Sequence, residues 1–486
     1  MKNKIDLNKH FFFGFCVLDL LCIFVIIVFK SLFLSILIFM SLVFLLSLCI
    51  KSAIKFSPFW MLLIIYTAPL ERIRWDIGFA LKPIIIVSLL GFYLLIVKYL
   101  FREFKIDIKT KRLLILCFLL ISAFLLSSLG SLDPIKSIRV TILYLTLFIL
   151  LFLVIEFVEN ETQFTLYLKH YMVIGLILSL YGVLQLLGLL FGFNPDVLFL
   201  SRFTSTYNQI SSYPLFNFTG FRINSLFTDC NNFAGYLNTV FPLFFAGTLY
   251  FSKMRDNRKL VVYGIGVLIV GSVLVLTFSR SGWMGLLAGL VVLLIDKRKE
   301  LLKSGVVRYL LLFLIILALL IVPFKSYLFP SVEYRLTEKA SSNVHFFVMK
   351  SAFSMFLSNP LTGVGIGSFG EAYGKYFKPG FEYYNPHSTY LAILSETGLL
   401  GFLLHMAIYY YVLKQILFFK RETKGFDSQV IGSGLLAGFV GLLVANIFYQ
   451  NYTFQFFFVF MGLAFASGLI ADKMDGSKDG IIDNNS

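Results

Sequence analysis

The chain has 486 residues, of which 58% are hydrophobic, 17% aromatic and only 14% charged. A soluble chain is about a quarter charged, so this composition argues against a soluble enzyme, a disordered chain and a secreted disulfide scaffold. The net charge of +16 would suggest a nucleic-acid partner in a soluble protein. In a membrane protein the same excess collects in cytoplasmic loops, and no nucleic acid is implied.

Fourteen apolar runs follow one another near 11–29, 31–50, 57–70, 83–97, 113–130, 139–157, 171–192, 230–251, 261–278, 281–295, 308–324, 388–418, 429–448 and 454–471. Their lengths suit membrane helices, which need about 20 apolar residues, and not the short alternating segments of a membrane barrel. The first run follows a basic start, shows no small-residue cleavage site, and reads as a span rather than a cleaved signal. The fold expected is therefore an all-α polytopic membrane protein with 12–14 transmembrane helices. The run at 388–418 is long for a single helix, which predicts steep tilt or extension beyond the bilayer.

With both termini placed in the cytoplasm, the inner segments hold 26 Lys and Arg, against 7 in the short outer connections. The asymmetry favours that orientation. Two long loops then face outward, near 193–229 and 325–387, and long loops in a compact protein are usually functional. The second loop contains HFFVMKSAFSMF (345–356), which predicts an amphipathic helix at the interface. Residues 1–200 read as N-terminal spans, 201–471 as a region that holds most of both long outer loops, and 472–486 as a polar, disordered tail.

Ionisable residues at membrane depth are functional candidates. Here they are Asp19, Arg280, Glu396 and His405. Arg280 lies in SRSGW (279–283), between two apolar runs with almost no loop, flanked by Ser279 and Ser281. The alternative for it is a snorkelling anchor of a tight turn. Arg222 lies in FRINSLFTDCNNFAGY (221–236). Asp229, Asn231 and Asn232 follow at a helix start, where N-capping is the ordinary role for at least one of them, and Arg222 could pair with Asp229. The functional reading has Arg222 and Arg280 clamping a phosphate, since the planar guanidinium fork matches phosphoryl oxygens. His387, in NPHSTYLAILSETGLLG (385–401), could take a proton from a hydroxyl; the bland alternative is a histidine that caps a helix. Glu396 either orients a partner, pairs with an Arg, or makes a structural hydrogen bond.

The glycine-rich run NPLTGVGIGSFGEAYG (359–374) follows no strand and lies in an outer loop, so a dinucleotide site is rejected. A tight glycine turn that lets backbone approach a neighbour fits better. No GxxxxGK[ST], HExxH or EF-hand pattern occurs, and the five cysteines form no CxxC pair. Neither a metal nor a cofactor is expected.

Four segments in order, FRINSLFTDCNNFAGY, SRSGW, NPLTGVGIGSF and HSTYL with SETGLLG, resemble the O-antigen ligase and polysaccharide polymerase family of bacterial membrane proteins. The resemblance covers about 220–401. It implies glycosyl transfer with inversion and without metal, from a glycan on undecaprenyl diphosphate to a glycolipid or lipid-linked glycan acceptor, at the outer face of the cytoplasmic membrane. Carried over, Arg222 and Arg280 would bind the diphosphate and His387 would activate the acceptor hydroxyl, with Ser279, Asp229, Asn231, Glu396 and Arg335 lining the substrate site. The chain departs from the family at Ser225 (often Gly), Cys230 (often Pro), His345 (often Arg) and Ser388 (often Asn). Arg335 or Lys350 could supply the cation that His345 lacks. A ligase is favoured slightly over a polymerase. The other classes considered are a polysaccharide transporter or flippase, which Asp19 and Glu396 would suit, and a structural scaffold.

Overall fold

A computed structural model describes residues 57–76, 80–101, 106–200, 222–298, 339–376, 386–423 and 425–482. The runs at 11–29, 31–50 and 308–324, with Asp19 and Arg335, lie outside them. The chain divides into two compact units, residues 1–59 with 90–104, and residues 60–89 with 105–486. The first contributes only the start of α1 (Ser57–Thr67) and the end of α2 (Pro83–Phe101) to the described residues.

The second unit is built of helices: α3 (Ile108–Leu129), α4 (Pro134–Phe157), α5 (Glu161–Phe191), α6 (Pro195–Leu200), α7 (Cys230–Met254), α8 (Asn257–Leu276), α9 (Arg280–Asp296), α10 (Lys339–Ser358), α11 (Phe369–Tyr376), α12 (Thr389–Glu422), α13 (Phe426–Phe448) and α14 (Gln455–Ile482). A minimal hairpin between α1 and α2 pairs β1 (Trp75–Asp76) with β2 (Ala80–Leu81), antiparallel, Trp75 opposite Leu81. Among the described residues seven helices are long and apolar enough to cross a membrane: α3, α4, α5, α8, α12, α13 and α14. The all-helical polytopic reading of the sequence is what the structure shows. α14 runs on to Ile482 and takes in much of the polar segment from 472.

Burial separates the helices. α7 and α14 form the centre, with Phe456 to Ala466 of α14 almost wholly inaccessible. α7 packs on α8, α9 and α13; α14 packs on α4 and α12. Outer helices turn large apolar side chains outward, as Ile115, Phe118, Leu125 and Leu126 of α3 do, which is stable only against lipid. Small residues bring α9 and α13 together: a Cβ on Gly285 would lie 2.6 Å from the Gly441 carbonyl oxygen. Packing of this kind replaces the hydrophobic drive that membrane helices lack.

The amphipathic segment expected at 345–356 lies within α10. Val348, Ala352 and Met355 point inward onto Val364, Phe369 and Tyr373, while Phe347, Phe353 and Leu357 are exposed. An outward apolar edge on a helix beside a membrane suits the interface.

The long run at 388–418 resolves into a broken helix. Within α12, Gly398 takes φ 63 and ψ −166, outside the helical region, a conformation reserved in effect for glycine. The break leaves the carbonyls of Ser395 and Glu396 and the amides of Leu399 and Leu400 for other partners. The glycine-rich loop supplies them: Val364 N donates to Ser395 O (3.0 Å), Gly365 N to Glu396 O (3.0 Å), and Leu399 N to Pro360 O (2.8 Å). A Cβ on Gly363 would sit 2.3 Å from the Glu396 carbonyl carbon. NPLTGVGIGSF and SETGLLG are thus two halves of one backbone interface, as the tight-turn reading expects.

Candidate functional site

Four connections meet at one end of the second unit: the turn before β1, the segment 222–229 leading into α7, the α8–α9 turn, and the α13–α14 turn facing the start of α12. Arg222 is half-buried. Its Nε donates to Thr277 O (3.0 Å) and its Nη2 to Asn231 Oδ1 (2.8 Å) and Phe278 O (3.2 Å). Carbonyls at the C-terminal end of α8 therefore hold the guanidinium; these carry the negative end of the helix dipole. The pairing of Arg222 with Asp229 considered from the sequence is replaced by Asn231 and these carbonyls.

Ser279 is the N-cap of α9, accepting from Gly282 N (3.0 Å), and its Oγ donates to Asn231 Oδ1 (2.7 Å). Arg280 is the first residue of α9 and is half-buried. Asp229 is the N-cap of α7, accepting from Asn231 N at 2.6 Å. Capping accounts for one of its oxygens and leaves the carboxylate at the site edge.

Tyr449, in the α13–α14 turn, lies beside the Asp229 carboxylate and the His387 ring. Its carbonyl accepts from Thr389 N (3.3 Å) and Thr389 Oγ1 (3.0 Å), and its ring lies 6.2 Å from the His387 ring. Burial, with the Asp229 carboxylate beside it, raises the phenol well above its ordinary range. His387 is half-buried and precedes the N-cap of α12, Ser388. Three of the four non-glycine residues with positive φ among the described residues are here: Ser225 (φ 51), Phe278 (φ 50) and His387 (φ 49). Such conformations are held only where surrounding bonds dictate them, and they concentrate at functional sites.

A fourth connection, which sequence reasoning passed over, buttresses the segment 222–229. Arg72 N donates to Leu226 O (3.0 Å) and Arg72 Nη1 to Ser225 O (2.9 Å), while Arg72 pairs with Asp196 at 2.8 Å, all buried. Asp196 also accepts from Tyr181 (2.8 Å) and Gln185 (3.0 Å). Glu71 accepts from Thr228 Oγ1 (3.2 Å), and burial pushes its carboxyl up to about 7, against the pull of Lys82. Burial lowers Lys82, which reaches Gln455 Oε1 at 3.4 Å. The signal available was density: Glu71, Arg72, Arg74, Asp76 and Lys82 crowd one short connection.

Glu396 lies away from this cluster. Its Oε2 accepts from Gly367 N (2.9 Å) and its Oε1 from Phe369 N (3.4 Å), and its backbone carbonyl accepts from Ser127 Oγ (2.6 Å). Of the three alternatives read for it, the structural hydrogen bond is the one present. His405 is buried among Tyr144, Tyr409 and Tyr452, with ring centroids 5.2–6.2 Å away. The side chain of His345 lies outside the described residues. Among the described residues no group of His, Cys, Asp and Glu could hold a metal ion.

Residues 265–406 match the family model of O-antigen ligase. Over that stretch the chain is similar to O-antigen ligases, and its seven long apolar helices among the described residues make it a multi-pass membrane protein. The match takes in Arg280, His387, Glu396 and the glycine-rich loop; Arg222, Asp229 and Asn231 precede it. No curated protein matches the chain. Three of the four departures from the O-antigen ligase pattern, Ser225, Cys230 and Ser388, have structural explanations. Ser225 stands at positive φ, where glycine is unstrained, and is held by Gln185 Oε1 on its N–H (2.9 Å) and by Leu178 O on its hydroxyl (2.7 Å). Cys230 is the first helical residue after the Asp229 cap, a position that favours proline. Ser388 caps α12 by accepting from Leu391 N (3.4 Å), a role that asparagine fills equally well.

Proposed function

We propose that this O-antigen ligase-like protein transfers a glycan from undecaprenyl diphosphate to an acceptor hydroxyl, on lipid A core or a similar glycolipid, at the outer face of the bacterial cytoplasmic membrane. The reading rests on one observation above the rest: Arg222, Ser279 and Asn231 form a single hydrogen-bonded cluster next to Arg280.

In this mechanism His387 takes the proton from the acceptor hydroxyl. The oxygen attacks the anomeric carbon from the face opposite the diphosphate. The bond between that carbon and the phosphate oxygen breaks with inversion, and its electron pair leaves with undecaprenyl diphosphate. The growing negative charge meets Arg222 and Arg280. Fixed cations and donors of this kind cost no reorganisation at the moment of reaction. Two of the three nitrogens of Arg222 are held by Asn231 and the α8 carbonyls, so the guanidinium is oriented before the donor arrives.

The test is transfer by purified protein supplied with a lipid-linked repeat and candidate acceptors. Arg280→Ala and His387→Ala, inserted normally, are expected to lose transfer by at least about a hundredfold. Full-length surface polysaccharide in cells carrying either variant would end this assignment. The acceptor separates the two activities: a deletion strain accumulating unattached lipid-linked polymer indicates a ligase, and one accumulating single repeats indicates a polymerase.

A further inference from the structure

The segment that follows Arg222 rests on one face of α5. Leu178, Gly182 and Gln185 are spaced four and three residues apart and so share that face. Ile223 packs on Gly182, where a Cβ would come within 2.7 Å of its Cγ2. Ser225 Oγ donates to Leu178 O (2.7 Å). Gln185 meets Ser225 at both of its backbone groups: its Oε1 accepts from Ser225 N (2.9 Å), and its Nε2 donates to Ser225 O (3.4 Å). The same Nε2 reaches Asp196 Oδ1 (3.0 Å) and Asn224 Oδ1 (3.2 Å). These acceptors fix the amide with its oxygen toward the Ser225 N–H. Ile223, Ser225 and Gln185 are all buried.

Ser225 needs such a hold. A turn closed by Phe227 N donating to Asn224 O (3.0 Å) makes it the first central residue, with φ 51. Glycine fills that position at no steric cost, whereas a serine keeps it only where surrounding bonds impose it. Arg222 lies three residues earlier. Its guanidinium is held by Thr277 O, Phe278 O and Asn231, so α7 and the end of α8 fix the tip of the side chain while α5 fixes the backbone at its root.

We infer that Gln185 is a positioning residue, which holds Ser225 in the left-handed conformation and so sets the backbone from which Arg222 reaches the donor diphosphate. The inference rests on the proposed function. It adds a residue of α5 that lies outside the O-antigen ligase match at 265–406.

The test uses the full-length protein in detergent or nanodiscs, with undecaprenyl diphosphate as the probe. Gln185→Met keeps the side-chain length and removes the amide. It is expected to weaken binding about tenfold, the scale of one lost hydrogen bond at a buried polar group. Glycine at 225 adopts the turn without the clamp, so the same change in a Ser225→Gly background is expected to cost no more than about twofold relative to Ser225→Gly alone. A merely structural role for Gln185 would give the same loss in both backgrounds, and that result overturns the inference, as does wild-type affinity in Gln185→Met. If Gln185→Met does not accumulate, the double variant decides: binding within about twofold of Ser225→Gly supports the inference, and weaker binding or failure to accumulate overturns it. A wild type that does not bind the probe, or an Arg222→Ala variant that binds it normally, defeats the proposed function and this inference with it. Loss in Arg222→Ala with none in Gln185→Met defeats only this inference.

Discussion

Glu396 gives the sharpest test of how the outer loop is held. Both of its carboxyl oxygens accept backbone N–H groups, from Gly367 at 2.9 Å and Phe369 at 3.4 Å, in a buried position. Glu396→Ala removes both acceptors and admits no replacement from the protein. Leaving a buried donor unpaired costs about 1–3 kcal/mol; the second bond is long and near the lower limit, so the sum is about 2–4 kcal/mol. Glu396→Gln keeps one acceptor for the shorter bond and turns an N–H₂ toward Phe369 N, which predicts a loss of about 1–2 kcal/mol. The backbone pairs between 360–365 and 395–400 survive both changes. The loop is therefore expected to stay docked while the start of α11 opens. Hydrogen exchange read across 363–376, with a melting curve in detergent, measures this. Exchange at Gly367 and Phe369 that is unchanged in Glu396→Ala would refute the anchoring role.

Three further outcomes follow from buried groups. The Glu71 carboxyl is raised to about 7 from 4.5, so the folded protein holds a proton that the unfolded chain has lost between those values. Stability then falls as pH rises from about 4.5 to 7, by up to about 3 kcal/mol, and Glu71→Gln should flatten that part of the melting temperature profile. Arg72→Ala strands Asp196 in a buried site and is expected to cost about 3–5 kcal/mol, less if Tyr181 and Gln185 compensate; protein yield and melting temperature report it. Gly398→Ala places a Cβ 2.4 Å from the Leu361 carbonyl carbon at φ 63, and the strain with the clash predicts a loss of about 3 kcal/mol or more, visible as failure to accumulate in membranes.

How much the residues reveal differs from element to element. The apolar runs from 113 to 157 and from 429 to 471 locate α3, α4, α13 and α14, because a bilayer demands length and hydrophobicity and both are written locally; α3 and α4 begin earlier, at Ile108 and Pro134, and α14 runs on to Ile482. The capping at Asp229 is local too, and it is present as read. Gly398 and Gly363 could be seen as glycines, but that they face each other across two segments depends on the break in α12 and the docking of the loop. Arg72 and Lys82 carried only a density of charge, with nothing to say which segment they would meet.

The chain by itself therefore determined that this is a helical membrane protein with an O-antigen ligase pattern, and it named Arg222, Arg280 and His387 as candidates. Only the tertiary structure decided that Asn231 joins Arg222 to Ser279, that the glycine loop pairs with the broken helix, and that Glu396 accepts from backbone N–H groups. The reason is physical. Burial in lipid and helix capping depend on neighbours within a few residues, while a hydrogen bond between Arg222 and a carbonyl 55 residues away depends on how whole helices pack.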